Sequence, residues 1–365
     1  MKKNIRSLVI ILLLTGICSQ CGGGSGGGGD AAGTTSVTFV SATAPGQMVS
    51  ITAGSETVNV VYANSSSSDI VVPMKRAETL TGTISNKFFI AETEVSYGLW
   101  STVYTWATDT ARGTNRYYFA NTGTMGDGTG DTALHPVTEI NWRDAMVWCN
   151  AFTEWYNAKN GTAYDCVYYS DSGYSAPIRD SRDGSYGSSV NTTAGSFDNP
   201  YVKAAAGGFR LPTSVEWEYA ARYLGTAAPS TGDDLDSEYV SRGHNDSSIS
   251  GLLTSGYYWT PGDYASGATA GVSDTTATDL VAWYNSNSSS SAHAIKGKAA
   301  NTLGLRDMSG NVWEWCFDWR SSEIRLFRGG SWDYTINHLN LGDVDFGGNP
   351  YYETYNLGFR FAKTR

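Results

Sequence analysis

The spacing of apolar and polar positions divides the chain into three helices and a series of shorter strands. Leu99, Trp100, Val103, Trp106 and Ala107 recur at helical spacing, and Ser96 stands where an N-cap belongs. A second stripe, Ala145, Cys149, Phe152 and Tyr156, follows Asn141; Asp144 three residues on completes a capping box, and Asn160-Gly161 ends the helix. The third helix opens with the capping box Thr213-Ser214-Val215-Glu216, continues through Trp217 to Tyr223 and stops at Gly225. Alternation with period two marks strands at Ser36 to Val40, Met48 to Thr52 and Thr57 to Ala63, and Lys87 to Ala91 reads as another.

Between the helices lie long polar stretches, Ser170 to Asn199 and Thr226 to Ser250. Irregular segments of this length are uncommon in compact domains unless they are functional or tied down by side chains. With 12 Trp and 23 Tyr, the chain has aromatics enough to tie them. No internal repeat of fixed period is visible. The pattern predicts one α+β domain over residues 69–365, with few helices, short strands and much irregular surface, preceded at 36–68 by a short β accessory segment or, alternatively, by the start of the main domain.

Lys2, Lys3 and Arg6 precede the apolar run Leu8 to Leu14, and Cys18 and Cys21 follow. This is the layout of a secretory signal over residues 1–21, too short to span a bilayer. The Gly-rich stretch 22–35 reads as a flexible tether, so the leader predicts a lipoprotein acylated at Cys21 or Cys18. The tether starts at Cys21, which favours it, although Gln20 and Ile17 replace the small residue usual before such a cysteine. Ordinary secretion with cleavage nearby is the alternative. The lipoprotein reading places the protein in a bacterial cell envelope, at the outer membrane and surface-exposed, touching the membrane through its lipid anchor only.

A formal net charge of −10 argues against nucleic acid as a partner, since phosphate binding needs clustered Lys and Arg. Beyond the leader remain Cys149, Cys166 and Cys316, an odd number with no zinc-type spacing. They read as small buried hydrophobes with at most one disulfide among them.

Five motifs occur in order: Gly207-Gly208-Phe209-Arg210-Leu211-Pro212-Thr213, Glu216 to Arg222, Gly304 to Trp315, Arg328-Gly329-Gly330-Ser331-Trp332 and Leu357-Gly358-Phe359-Arg360. Together they resemble the formylglycine-generating-enzyme (sulfatase-modifying factor) type of C-type lectin fold, over residues 69–365. The resemblance implies an α+β fold with few regular elements. In the enzymes of that family two cysteines after the Gly-Gly-Ser-aromatic motif bind copper; the matching positions here are Tyr334 and Leu339, so the oxidase chemistry is not expected. Another branch uses histidine-bound iron, but His135, His244, His293 and His338 are scattered; His135 reads as a turn residue and His338 as a contact residue. Glu216 and Glu218 face different sides of their helix, which makes them poor partners for acid/base work, and Arg210 and Arg360 read as residues of structural ion pairs or backbone contacts. No cofactor is required. The family resemblance does imply a structural calcium site at Asp307 and Glu314 with the carbonyls of Gly310 and Val312; the alternative is a tight turn whose acids cap backbone amides.

The segment between the last two motifs, within residues 328–360, contains no Lys or Arg from Asp333 to Asn356 and is rich in Asn, Asp, Tyr and Gly. Such a composition suits a displayed contact surface, because Tyr gives area at low entropy cost and Asn, Asp and Gly give adaptable hydrogen bonds and turns. The candidate contact residues are Asp333, Tyr334, Ile336, Asn337, His338, Asn340, Asp343, Asp345, Phe346, Asn349, Tyr351, Tyr352, Thr354 and Tyr355. Asp, Tyr, His, Ile, Thr, Phe and Gly all arise from an asparagine codon by changing adenines alone; Glu353 does not and belongs to the framework. In placement and alphabet the segment resembles the variable proteins diversified by an adenine-mutating retroelement. The implied function is a non-enzymatic, surface-displayed receptor or adhesin whose ligand is a protein or other macromolecule, with the acids favouring basic groups on the partner. A divergent formylglycine-generating-like enzyme and a calcium-dependent sugar-binding lectin are the competing readings.

Overall fold

The computed structural model describes residues 43–53, 56–64, 66, 70–76, 79–128, 130–182, 189–225, 258–344 and 346–365. The expected leader, tether, Cys18, Cys21, the strand at Ser36 to Val40 and the Thr226 to Ser250 stretch lie outside them. All three expected helices are present. In α1 (Tyr97–Ala107) the Ser96 hydroxyl accepts from the Leu99 amide, and Leu99, Trp100, Val103 and Ala107 are buried. Trp106 stays half-buried, with the Arg112 guanidinium 3.6 Å above its ring. The capping box of Asn141 and Asp144 opens α2 (Trp142–Asn160), and Gly161 ends it in the left-handed region at φ 65°. Burial runs nearly all round this helix from Trp142 to Tyr156, which makes it the central one. In α3 (Ser214–Arg222) the Thr213–Glu216 box forms as expected, but the helix stops one residue short of Tyr223, which turns extended and pairs with Trp259.

Five strands form the main sheet, in the order β1 (Met48–Ala53), β2 (Glu56–Asn64), β5 (Phe88–Ala91), Ala362–Thr364 and Phe209–Arg210. The hairpin β3 (Ile70–Arg76) and β4 (Thr79–Ile84) stands between β2 and β5 in sequence and pairs only with itself among the described strands. Every pairing in the main sheet is antiparallel. The boundary expected at residue 69 therefore moves: the hairpin of β1 and β2 is not an accessory but the outer part of the main sheet, with Val61 opposite Ile90. The period of two along a strand explains the integration. Val60, Tyr62, Phe89 and Ala91 face the core around α1 and α2, while Val61, Ala63, Phe88 and Ile90 face the one around α3. Both faces of β2 and β5 are therefore covered, as an appended hairpin's would not be.

The first core is strongly aromatic. Trp100 and Trp148 stack at 5.9 Å, Phe152 lies 4.2 Å from Phe209, and Phe359 and Phe361 bring the C-terminus into the same cluster. A second sheet orders Gly347–Gly348, Ile324–Arg328, Trp313–Ser321 and Leu357–Gly358. The segment singled out in the sequence thus leaves this sheet at Arg328, pairs with it again at Gly347–Gly348 opposite Arg325 and Leu326, and rejoins it at Leu357. Cys149, Cys166 and Cys316 are free and buried, as their small apolar character suggested.

Candidate functional site

The display segment is fixed at its start by charge and backbone geometry. Arg328 is fully buried; it donates to Glu218 at 2.6 Å and to the Leu341 carbonyl at 2.7 Å, and Glu218 also holds Arg222 at 2.8 Å. Gly329 and Gly330 follow at φ 100° and 82°, where L residues are strained. A Cβ on Gly330 would come within 2.7 Å of the His338 carbonyl, so the chain can fold back here only without one.

Hydrogen bonds to and from its main chain then seat the segment on residues 262–288. The Asn285 amide donates to Tyr334 O at 3.0 Å, Ser288 Oγ to Trp332 O at 2.9 Å, the Leu341 amide to Tyr264 O at 3.1 Å and the Gly342 amide to Gly262 O at 2.9 Å. Leu339, fully buried, inserts among Ala265, Ala268, Val272, Val281, Ala282 and Tyr284. At the far end Asn356 is buried, its amide donating to Asp333 Oδ1 at 2.8 Å and its carbonyl accepting from Trp313 N at 2.8 Å.

None of the described contact candidates is buried. Asn337, Tyr352 and Tyr355 are exposed; Asp333, Tyr334, Ile336, His338, Asn340, Asp343, Phe346, Asn349, Tyr351 and Thr354 are half-buried, and Asp345 lies outside the described residues. Their surroundings differ. Tyr334, His338 and Phe346 meet edge to face at 5.1, 5.0 and 5.9 Å, and Tyr334 and Phe346 rest on Trp313 at 5.4 and 4.6 Å. These three rings are joined to the core as much as they are displayed. Ile336 likewise leans on the Leu339 cluster. Tyr351 lies 5.4 Å from the Arg143 guanidinium, which is held by Asp198 at 2.6 and 2.8 Å.

Asp333 is oriented by its neighbours, accepting from Ser331 Oγ at 2.7 Å, Asn356 Nδ2 at 2.8 Å and Tyr355 Oη at 2.9 Å. The hydrogen bond to Asp333, and then its charge, push the Tyr355 phenol above its ordinary range. Thr335 and Glu353 are also exposed and were not among the expected contacts. Thr335 belongs to the same asparagine-derived alphabet and could have been named from it.

The catalytic positions of the related enzymes are occupied as the sequence indicated: the Tyr334 ring sits in the aromatic cluster and Leu339 in the core. Burial pushes the thiols of Cys149 and Cys316 well up and that of Cys166 to about 12, so none of the three is disposed to act as a thiolate. The described histidines are apart in role. His135 Nε2 faces Asp131 at 2.9 Å while its Nδ1 accepts from the Thr132 amide, a turn; His293 stacks on Trp283 at 3.8 Å. His244 lies outside the described residues. Arg210 pairs with Glu216 at 2.6 Å, in line with the ion-pair expectation.

The expected calcium set does not fit as arranged. Arg360 takes both oxygens of Glu314 at 2.6 Å, and Trp217 Nε1 adds a bond at 2.8 Å, so this carboxylate already serves a cation inside the core. Asp307 accepts from the Lys296 amide at 2.8 Å through Oδ2, while its buried Oδ1 has no hydrogen-bond partner. Gly310 forms the tight turn at φ 78°, its amide bonded to Gly329 O, and Val312 packs with Ala292 and Trp332. Among the described residues no three His, Cys, Asp or Glu side chains gather as a metal site. Burial raises Asp307 to about 6, and burial followed by the charges of Asp307 and Glu314 raises Glu94, both of whose oxygens are buried without a partner.

A family model described as the sulfatase-modifying factor enzyme 1-like domain matches residues 36–365. The chain is similar to Chaperone protein LppX of Paenibacillus barcinonensis, 27% identical over 220 residues that make up 58% of this chain and 63% of that protein. It is also similar to Inactive C-alpha-formylglycine-generating enzyme 2 of Mus musculus, 37% identical over 71 residues, 18% of this chain and 23% of that protein. It therefore spans less than two thirds of the length of these relatives. Among solved structures, Treponema denticola variable protein 1 is 25% identical with a TM-score of 0.56, covering 87% of this chain and 98% of that one. CarF, 21% identical with a TM-score of 0.50 over 81% of this chain and 98% of its own, is a likeness of fold alone.

Proposed function

The chain belongs to the sulfatase-modifying factor enzyme 1-like family, and from that premise we propose that it is a non-enzymatic binding protein, a receptor or adhesin displayed on a bacterial cell. Its C-terminal face holds a protein or other macromolecular ligand. The observation that carries this reading is the division of labour along the segment. Leu339, Leu341, Gly342, Pro350 and Asn356 are buried anchors, while no described contact candidate is fully buried and Asn337, Tyr352 and Tyr355 are exposed. Residues on a fixed backbone that do not build the core can change without unfolding it. The likeness to a protein named as variable, and to one named as inactive, supports the same reading.

In this proposal a lipid on Cys21 or Cys18 anchors the protein to the outer membrane, nucleic acid is not a ligand, and no cofactor is needed. Two experiments test it. Sequencing the locus across isolates should find changes confined to adenine-derived positions between Trp332 and Leu357; an invariant segment removes diversification from the proposal. Incubation with copper and a cysteine-containing sulfatase peptide should leave the peptide unmodified, and conversion of the cysteine to formylglycine would sink the non-enzymatic reading.

A further inference from the structure

We propose that a cleft beside the display face receives a cationic side chain, arginine or lysine, of the protein bound there. The inference rests on the binding role of that face and specifies the chemistry at one edge of it. The cleft, about 440 Å³, has one wall from Asn121, Thr122, Gly123, Thr124 and Glu139, and the other from Glu353, Thr354 and Tyr355. A main-chain bond from the Glu139 amide to Thr354 O at 3.1 Å ties the walls together.

Two carboxylates line it and a third stands behind. Thr124 Oγ1 donates to Glu139 at 2.5 Å; the Asn121 amide reaches Glu353 at 3.3 Å and the buried Asp144 at 2.8 Å. Elsewhere the buried acids Asp198, Glu218 and Glu314 each hold an arginine. Among the described residues no basic side chain pairs with Glu139 or Glu353. Partial burial, then the charges of Asp144 and Glu139, raise the Glu353 carboxyl, a repulsion that an entering cation relieves. The exposed Tyr355 ring at the rim adds a face over which a guanidinium can lie. A side chain suits the place better than a metal ion, since among the described residues no three acids gather as a metal site and the rest of the lining is amide, hydroxyl and ring.

One wall precedes the display segment, and Glu353 is the residue within the segment that adenine changes cannot derive from asparagine. The two carboxylates are thus a constant anchor, while Thr354 and Tyr355 beside them belong to the changeable face.

The test uses N-acetyl-arginine amide as probe and the neutral N-acetyl-citrulline amide as control, read by amide chemical shifts of the whole protein. Saturable shifts are expected at Gly123, Thr124, Thr354 and the Asn121 side chain with the arginine probe alone. Glu139→Gln and Glu353→Gln, both at exposed positions, should each weaken binding about tenfold, the loss of one charge-assisted contact. Absence of saturable shifts, equal shifts with citrulline, or unchanged affinity in both variants would overturn the proposal. So would calcium chloride producing the same shifts at lower concentration. The probe reports on the cleft without the natural ligand, so a negative result leaves the binding role of the face standing.

Discussion

Arg360 closes a two-bond fork on Glu314, Nε to Oε2 and Nη2 to Oε1, both at 2.6 Å with neither side chain exposed. The same guanidinium donates to the carbonyls of Ala91, Glu92 and Arg306, so one residue ties the C-terminal strand to β5 and to the turn before Trp313. Removing one member of a buried pair leaves a charge without compensation, at a cost of about 3–5 kcal/mol. Arg360→Met and Glu314→Leu should each lower the unfolding free energy by that order, read as a lower urea midpoint at unchanged slope. The double variant should recover part of the loss, because it buries no charge. A single variant as stable as the parent would show that the fork contributes nothing net.

Asp307 makes stability depend on pH in a direction opposite to that of a salt-bridged acid. Its folded pKa of about 6 lies above the ordinary value of 3.8, so between these values the folded state binds more protons than the unfolded one. Stability contributed by the neutral acid is therefore present in full below pH ~4 and is lost as the pH rises through about 6. Asp307→Asn, which tolerates the left-handed φ of 57° at this position, should be more stable than the parent at neutral pH and should flatten this part of the profile. The check is a series of urea midpoints from pH 4 to 7. An unaltered slope in the variant would assign the dependence elsewhere, and millimolar calcium that abolished the parent's slope would place an ion at Asp307 after all.

Gly330→Ala tests the close approach at the entrance of the display segment. At φ 82° with a carbonyl 2.7 Å from the new Cβ, the substitution forces residues 336–339 away from the glycine pair. Strain of this kind costs on the order of 1–3 kcal/mol. Thermal unfolding should shift down, whereas Gly161→Ala, equally left-handed but with open space around it, should lose less. Equal losses would mean that backbone conformation alone, and not the His338 carbonyl, sets the need for glycine.

Local chemistry is what made much of this fold legible. Capping boxes at Asn141 and Thr213 announce helices because the side chains that satisfy the first amides are neighbours in sequence. Membership of β1 and β2 in the main sheet was not legible, since alternation reveals a strand but not its partner, and Val61 meets Ile90 across 29 positions of chain. The role of Glu314 was half visible: its carboxylate looked like a hard oxygen ligand, and nothing local indicated that Arg360 would reach it first. In the display segment the alphabet named contact candidates one residue at a time and could not tell that Tyr334, His338 and Phe346 would lean on one another over Trp313. The cleft at Glu139 and Glu353 joins elements 214 residues apart and has no signature in either stretch.

If the face is built for exchange of side chains, anchors and contacts should separate by stability. Leu339 is fully buried in the Ala265–Tyr284 cluster, so Leu339→Ala leaves a cavity under the segment and should cost about 2–5 kcal/mol. Asn337 is two residues away and Tyr352 sits across the segment, and both are exposed. Asn337→Ser and Tyr352→Ser remove no core contact and should change stability by no more than about 0.5 kcal/mol, the usual range for surface sites. Urea unfolding of the three variants gives the comparison directly. Comparable losses at Leu339 and Tyr352 would show that the displayed side chains hold the fold together, and a surface of that kind could not be varied freely.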